Sequence, residues 1–381
     1  MKKILYVTTI SGFLPQFEFN DVKIIQNMGY EVHYASNFNN PIYSFNAEQL
    51  VKEGIILHQI NVEKSPRHLR HNLQAFKQLK QIIDEENIDI VHCHNPMGGV
   101  IGRMSSHFSR RRPYVIYTAH GFHFYKGAPL LNWLVYYPAE AFMAHFTDEI
   151  VTINKEDYDR ANHFRLKPGG FIHQIHGVGV NTDRFRPRPE ISKSKREELG
   201  IPVDAFHIVT AAELNTNKNQ RVIIEAIASI ADENIYYTIC GKGPNEAMLR
   251  EQIKSFHLER RVRLIGYRTD MDEILQTADL FAFPSFREGL GIAAVEALFC
   301  SVPLLAADNR GTREYAVNEV NSLVCHKNDV SLYSAAIKQL KHNDALRWML
   351  TANAAHSAEA FSIQETARVM EQVYKIANMH C

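Results

Sequence analysis

Short runs of β-branched and aliphatic residues recur through the first half of the chain, at Ile4–Thr9, Glu31–Ser36, Ile55–Ile60, Ile90–His94, Val115–His120, Glu149–Ile153 and Phe171–His176. Segments of helical period separate them. Leu69, Leu73, Phe76 and Leu79, for example, share one helical face ahead of Ile83. Continuous apolar strands alternating with helices predict a parallel sheet covered on both faces. Ligands of such sheets lie beyond the C-terminal strand ends. Ser11-Gly12, His92 with His94, and the turn His120-Gly121-Phe122-His123 all fall there and are expected to line one crevice.

The pattern breaks at Val180–Pro189, where two prolines precede a charged segment. Alternation then restarts with Phe206–Ala211, Tyr236–Cys240, Val262–Ile265, Leu280–Ala282 and Val302–Ala306. Val369, Val373 and Ile376 give the last segment, from Ile363 to Met379, a helical spacing. A chain of 381 residues exceeds one ordinary core. The expected architecture is α/β: two Rossmann-like, doubly wound domains facing across a cleft. Their bounds are 1–185 and 186–362, with a helix over 363–381 returning to the first domain.

Composition narrows the function. Lys plus Arg and Asp plus Glu both number 42, so there is no global field for nucleic acid. The five cysteines are scattered without C-x-x-C spacing, which argues against a disulfide framework or zinc ribbon and fits a reducing cytosol. The apolar start from Ile4 ends by Ser11 with no small-residue cleavage site, so a buried strand is expected there. Asn132, Pro138, Glu140 and His145 interrupt the apolar region Ala128–Phe146, and no membrane span is expected.

The chemistry concentrates at Pro284–Ala297. An apolar strand runs into Glu288-Gly289-Leu290-Gly291, and a small-residue helix follows with Glu296 in its first turns. That layout sets two carboxylates beside a helix N-terminus, whose unpaired N–H groups and dipole favour an anion. Other strand ends add Lys218 in the loop Ala212–Asn219, the turn Gly241-Lys242-Gly243-Pro244, and Gly266-Tyr267. The Gly-x-Gly turn lacks the third glycine of a dinucleotide fingerprint. The joint reading is a nucleotide-diphosphate site, with Lys218 as a point charge on phosphate.

These residues resemble glycosyltransferase family 4, the retaining GT-B enzymes, over nearly the whole chain. Glu288 and Glu296 match the family's glutamate pair, and the capsular and exopolysaccharide transferases are the most similar branch. Lys218, Gly241-x-Gly243-Pro244, Gly266, the phrase Gly177–Phe185, Val91–Pro96 and Ala119-His120-Gly121 support it. The resemblance implies that Glu296 holds the ribose of a UDP-sugar. Glu288 with the backbone of Gly289, Leu290 and Gly291 would hold the sugar and β-phosphate, and Tyr267 would stand near the base. Lys218 would neutralise the diphosphate, while His120 would contact the sugar and Gly12 the donor from the first domain. It also implies a lipid-linked saccharide acceptor at the cytoplasmic leaflet, front-face retention, and no cofactor or metal.

Two features depart from the family. Ala212-Glu213-Leu214 stands where Gly-Arg-Leu is usual, so Glu213 is expected to turn away or pair with Lys218 or Lys242, with Arg287 or Lys242 as replacement cation. Only Gly12 remains of a glycine pair after the first strand. His92, His94, His120 and His123 raise a metal site as an alternative, but no carboxylate motif accompanies them and none is expected. Val100, Ile101, Met104 and Phe108, flanked by Arg103 and Arg110–Arg112, form an apolar face that either packs on the sheet or, together with Leu130, Leu131, Trp133, Leu134 and Tyr136, rests on an anionic bilayer; the family resemblance favours the bilayer. A nucleotide-sugar epimerase of the same fold and a non-catalytic nucleotide-sugar-binding subunit are the rival functions.

Overall fold

The computed structural model describes residues 1–39, 45–230, 232–326 and 328–381. The chain divides into two compact units, Met1–Gly179 with Ile363–Cys381, and Val180–Ser362. The division thus falls at Gly179, ahead of the 185/186 boundary expected from the prolines.

Unit 1 carries seven strands: β1 Lys3–Val7, β2 Glu31–Ser36, β3 Ile55–Gln59, β4 Ile90–His94, β5 Tyr114–Ala119, β6 Glu149–Thr152 and β7 Phe171–Gln174. They pair in parallel in the order β3-β2-β1-β4-β5-β6-β7. The strand expected over Ile4–Thr9 stops at Val7. The Thr8 hydroxyl meets the Ile10 carbonyl at 2.8 Å and the Tyr34 hydroxyl at 2.7 Å, which turns the chain out of the sheet. Leu5, Val7, Val91, Val115 and Ile150 pack one sheet face against Leu79 and Ile83 of the helix Leu69–Glu85.

The helix Ile363–His380 belongs to this unit and buries Met370, Val373, Tyr374 and Ala377. The Tyr374 hydroxyl lies 2.8 Å from that of Tyr6 and 3.0 Å from His92 Nδ1. Asn378 accepts hydrogen bonds from Lys2 and Tyr30, each at 2.7 Å, so the last helix is sewn to the first strand and its neighbour turn.

Unit 2 carries β8 Phe206–Ala211, β9 Ile235–Cys240, β10 Val262–Leu264, β11 Leu280–Phe283, β12 Leu304–Ala307 and β13 Ser322–Cys325, parallel in the order β10-β9-β8-β11-β12-β13. β13 has no counterpart in the sequence reading. It is a four-residue edge strand whose entry is fixed by tertiary bonds. Buried Asn321 donates to the Tyr315 carbonyl and the Ser357 hydroxyl, both at 2.7 Å. Both sheets reverse winding in the middle, between β1 and β4 and between β8 and β11. These are the positions where open α/β sheets gather ligands.

No helix among the described residues is long and apolar enough to cross a membrane. Cys93, Cys240, Cys300 and Cys325 are buried free thiols, and Cys381 is an exposed one.

Candidate active site

The unit 2 site forms at its switch point. β8 ends at Ala211, and the following loop closes with a short 3-10 turn, Thr216–Lys218, capped by the Asn215 side chain. β11 ends at Phe283 and runs into the Glu288 turn. The two loops are laced together: the Phe286 amide donates to the Asn217 carbonyl at 2.8 Å, and the Asn217 side chain donates to the Arg287 carbonyl at 2.9 Å. Lys218 Nζ therefore meets Glu288 Oε1 at 2.6 Å, with both side chains largely buried. The same ammonium lies 5.5 Å over the Phe283 ring. Two residues 70 positions apart, from opposite sides of the switch point, become one ion pair.

Gly291 ends that turn with φ +96° as the N-cap of the helix Ile292–Phe299. A Cβ there would stand 2.6 Å from the Phe283 ring and 2.8 Å from the Tyr315 hydroxyl, so glycine is required twice over. No side chain caps this helix, which leaves its first N–H groups facing the turn. Glu296, one turn into the helix, is largely buried. Burial pushes its carboxyl up to about 7; Arg184 pulls it down and Asp272 pushes it up, but desolvation dominates.

Gly241 and Gly243 serve local packing. A Cβ on Gly241 would lie 1.9 Å from the Ala212 carbonyl, and one on Gly243 2.4 Å from the Leu214 carbonyl. The Gly241 amide donates to the Gly266 carbonyl at 2.7 Å. The three glycines thus seat the Ala212–Leu214 loop, and Tyr267 beside them is exposed. Leu290 is buried within the Glu288 turn.

Of the two alternatives for Glu213, turning away or pairing with a lysine, it does not pair with Lys218. Its exposed carboxylate accepts from Asn215 Nδ2 at 2.9 Å, while Lys218 is taken by Glu288. Arg287 and Lys242 are both exposed. The sequence reading missed Arg310, whose Nε donates to the Glu288 carbonyl at 3.3 Å. Arg310-Gly311 follows β12, so the rule that selected the other strand ends would have found it.

Gly12 and His120 belong to unit 1. Gly12 lies in a buried turn after β1, and a π-helical stretch, Leu14–Glu18, follows it before the helix Phe19–Asn27. That wide turn carries Glu18 inward. Its Oε1 lies 3.6 Å from His94 Nδ1 and 3.5 Å from His120 Nε2, and the two imidazole nitrogens are 3.2 Å apart. Asp21, also buried, meets the Tyr374 hydroxyl at 3.3 Å. Burial raises Glu18 well above the usual carboxylate range, with the Asp21 charge adding to it, and lifts Asp21 to about 7. Burial lowers His92 to about 3, His120 to about 4, and His94 well below its ordinary value.

The four histidines do not converge as the metal alternative required. His92 turns to Tyr374 and to Thr118, 2.8 Å from its Nε2, and His123 packs on Tyr136. The carboxylate missing from the sequence motif is Glu18, which makes Glu18, His94 and His120 a possible ligand set among the described residues.

The expected bilayer face divides. Ile101 is buried, and Arg103 is fully buried, its guanidinium 2.9 Å from Glu140 and 4.0 Å over the Tyr117 ring. The helix Pro96–Phe108 therefore packs inward through most of that face. The helix Leu130–Ala144 instead exposes Leu130, Leu131, Leu134, Val135 and Phe142. Arg110–Arg112 precede β5 while Leu130–Leu134 follow it, so the arginines and the leucines lie at opposite ends of the sheet.

The unit 2 switch point thus gathers a lysine–glutamate pair beside an uncapped helix start, and comparison with known proteins assigns the class. The family "Glycosyl transferase 4-like" matches residues 3–154, and "Glycosyl transferases group 1" matches residues 192–357. The chain belongs to glycosyltransferase family 4 and is a glycosyltransferase with the GT-B fold. It is similar to the Bacillus subtilis (strain 168) protein named "Putative glycosyltransferase EpsD", at 37% identity over 98% of this chain and 96% of that one. It is 26% identical to the Escherichia coli UDP-Gal:alpha-D-GlcNAc-diphosphoundecaprenol alpha-1,3-galactosyltransferase, over 74% of this chain and 75% of that one. In fold it is similar to Anabaena HepE, solved with UDP and glucose, with a TM-score of 0.78, 17% identity, and 98% and 100% of the two chains covered.

Proposed function

We propose that this glycosyltransferase moves a hexosyl or N-acetylhexosaminyl unit, with retention, from a UDP-sugar to a saccharide carried on a polyprenyl diphosphate, in exopolysaccharide or capsule assembly. The observation that carries the reading is the Lys218–Glu288 pair at the unit 2 switch point, ahead of the helix Ile292–Phe299 that carries Glu296. Breaking a glycosidic bond to a nucleoside diphosphate leaves negative charge on the phosphates, and preorganised donors there lower the barrier. Lys218 exchanges Glu288 for the diphosphate when the donor arrives. The freed Glu288 carboxylate then takes sugar hydroxyls, and the uncapped helix start at Gly291 takes the β-phosphate. Glu296 holds the ribose, and Gly12 and His120 contact the donor from unit 1. Lysine and helix N-terminus supply the charge, so the reading requires no metal or other cofactor. The leaving phosphate accepts the acceptor's proton on the front face, and neither glutamate acts as a nucleophile. The names of the galactosyltransferase relative and of the HepE complex support a UDP-sugar donor and a lipid-linked acceptor.

The exposed leucines of the helix Leu130–Ala144 are the surface proposed to rest on the anionic cytoplasmic leaflet, where such an acceptor is held. Arg160, 4.9 Å over the Trp133 ring, adds a cation to its first half. Flotation with anionic vesicles is expected to fail for a Leu130/Leu131/Leu134→Ser variant and to persist for Arg110/Arg111/Arg112→Ala. The reverse result removes this surface from the proposal.

A screen of radiolabelled nucleotide sugars, with and without polyprenyl-linked acceptor, tests the transfer itself, and the product's anomeric configuration tests retention. Glu288→Gln is expected to slow transfer and Glu296→Gln to weaken nucleotide binding. Full activity in both variants would sink the assignment of the site.

A further inference from the structure

Burial keeps His94 and His120 neutral near pH 7, so each ring carries one proton. Which nitrogen holds it follows from the surroundings. The His94 ring is fully buried, and its Nε2 makes no hydrogen bond. A proton on Nε2 would be a buried, unpaired N–H, costing about 1–3 kcal/mol. A proton on Nδ1 is instead donated to His120 Nε2 at 3.2 Å, while Glu18 Oε1, 3.6 Å away and without a hydrogen-bond partner, adds an oxygen beside it that favours the N–H over a lone pair. His120 Nε2 is then an acceptor, and its own proton moves to Nδ1. Phe13 packs edge-on to His120 with centroids 4.8 Å apart; the His120 side chain keeps 20% of its surface exposed, and Nδ1 is the nitrogen that neither His94 nor Glu18 engages.

We infer that Glu18 and His94 are positioning residues that hold His120 as its Nδ1–H tautomer, so that His120 meets the sugar as a hydrogen-bond donor and not as a base. The consequence for transfer rests on the proposed contact between His120 and the donor sugar; the tautomer does not. A metal ion is the competing occupant. The triangle of 3.2, 3.5 and 3.6 Å is near the edge of about 3.3 Å that tetrahedral bonds of about 2.0–2.1 Å produce. A metal on His94 Nδ1, however, forces the proton onto Nε2. Ligating histidines almost always hand that second N–H to an acceptor, and His94 Nε2 has none.

Long-range 1H–15N spectra of the full-length 15N-labelled protein at pH 7 read the tautomer directly, with the two rings among the 19 histidines assigned from His94→Gln and His120→Gln samples. Both rings are expected to be neutral with the proton on Nδ1. In His94→Phe, the His120 signal should move toward the Nε2–H form while the other histidine signals stay in place. That variant should lower kcat by about tenfold with KM little changed, the mark of lost positioning. Glu18→Gln, which preserves an acceptor oxygen, should retain more activity than Glu18→Ala. An Nε2–H or doubly protonated His120 in the unaltered protein overturns the inference, as does one equivalent of zinc retained on purification. Full transfer by His120→Ala, alongside an Nδ1–H His120 in the unaltered protein, would instead refute the sugar contact and leave the tautomer standing.

Discussion

Glu296→Gln separates stability from binding at one atom. In the folded protein the Glu296 carboxyl is displaced from 4.5 to about 7, chiefly by burial. The folded state therefore favours the neutral acid. Its contribution is complete below about pH 4.5, falls as pH rises, and is gone above about pH 7, where the folded carboxyl ionises. At about 1.4 kcal/mol per pH unit, the loss is at most about 3 kcal/mol. Glutamine has the shape of the neutral acid and never ionises. Scanning calorimetry at pH 8 should therefore find Glu296→Gln more stable than the parent, by up to about 6–12 °C in Tm for a body the size of unit 2. At pH 4.5 the two should melt together. Nucleotide binding should move oppositely under the proposed ribose contact, in which an ionised carboxylate would accept hydrogen bonds from both ribose hydroxyls and an amide would offer one oxygen. Parent affinity for UDP should accordingly rise between pH 6 and pH 8. A variant less stable than the parent at pH 8, or one equally stabilised at both pH values, would refute the burial argument.

Other perturbations probe the supports of the site. Gly291→Ala adds a methyl group against Phe283 and Tyr315 at a positive φ; a loss of about 2–4 kcal/mol in urea denaturation and of nucleotide binding is expected. Glu213→Ala should leave donor affinity unchanged or slightly improved, since the carboxylate is exposed and accepts from Asn215, away from Lys218; titration calorimetry with UDP checks this. Glu140→Ala strands the buried Arg103 guanidinium and should cost about 3–5 kcal/mol in chemical denaturation, whereas Arg103→Met with Glu140→Leu should cost much less.

Much of this site was legible because the rule that finds it is topological. A strand end in a parallel sheet is recognisable from an apolar run that stops at glycine or a polar residue, and Lys218, Gly241, Gly266 and Glu288 all satisfy it. What stayed hidden depended on side-chain direction. Nothing in Ala212–Asn219 reveals that Asn215 takes the Glu213 carboxylate while Lys218 crosses to Glu288. Glu18 escaped notice because the π-helical stretch Leu14–Glu18 shifts the helical phase, and an acid that reads as solvent-facing is swung beneath two histidines. Arg103 misled for a related reason: an arginine on a helix face reads as exposed until a facing glutamate and an aromatic ring, far along the chain, enclose it.

The interleaving of the two units fixes an order of events during synthesis. Unit 2 is one unbroken stretch, Val180–Ser362, and has all its strands as soon as that stretch leaves the ribosome. Unit 1 does not. Tyr6 and His92, near the start, find their common hydroxyl partner on Tyr374, near the end. The nascent N-terminal sheet must therefore wait with an uncovered face while an entire second domain is made and folds. Its first 179 residues are the stretch most exposed to misassembly. A chain released before Tyr374 would contain a finished unit 2 attached to an unfinished unit 1, so truncations at the C-terminus should aggregate through residues at the opposite end of the sequence.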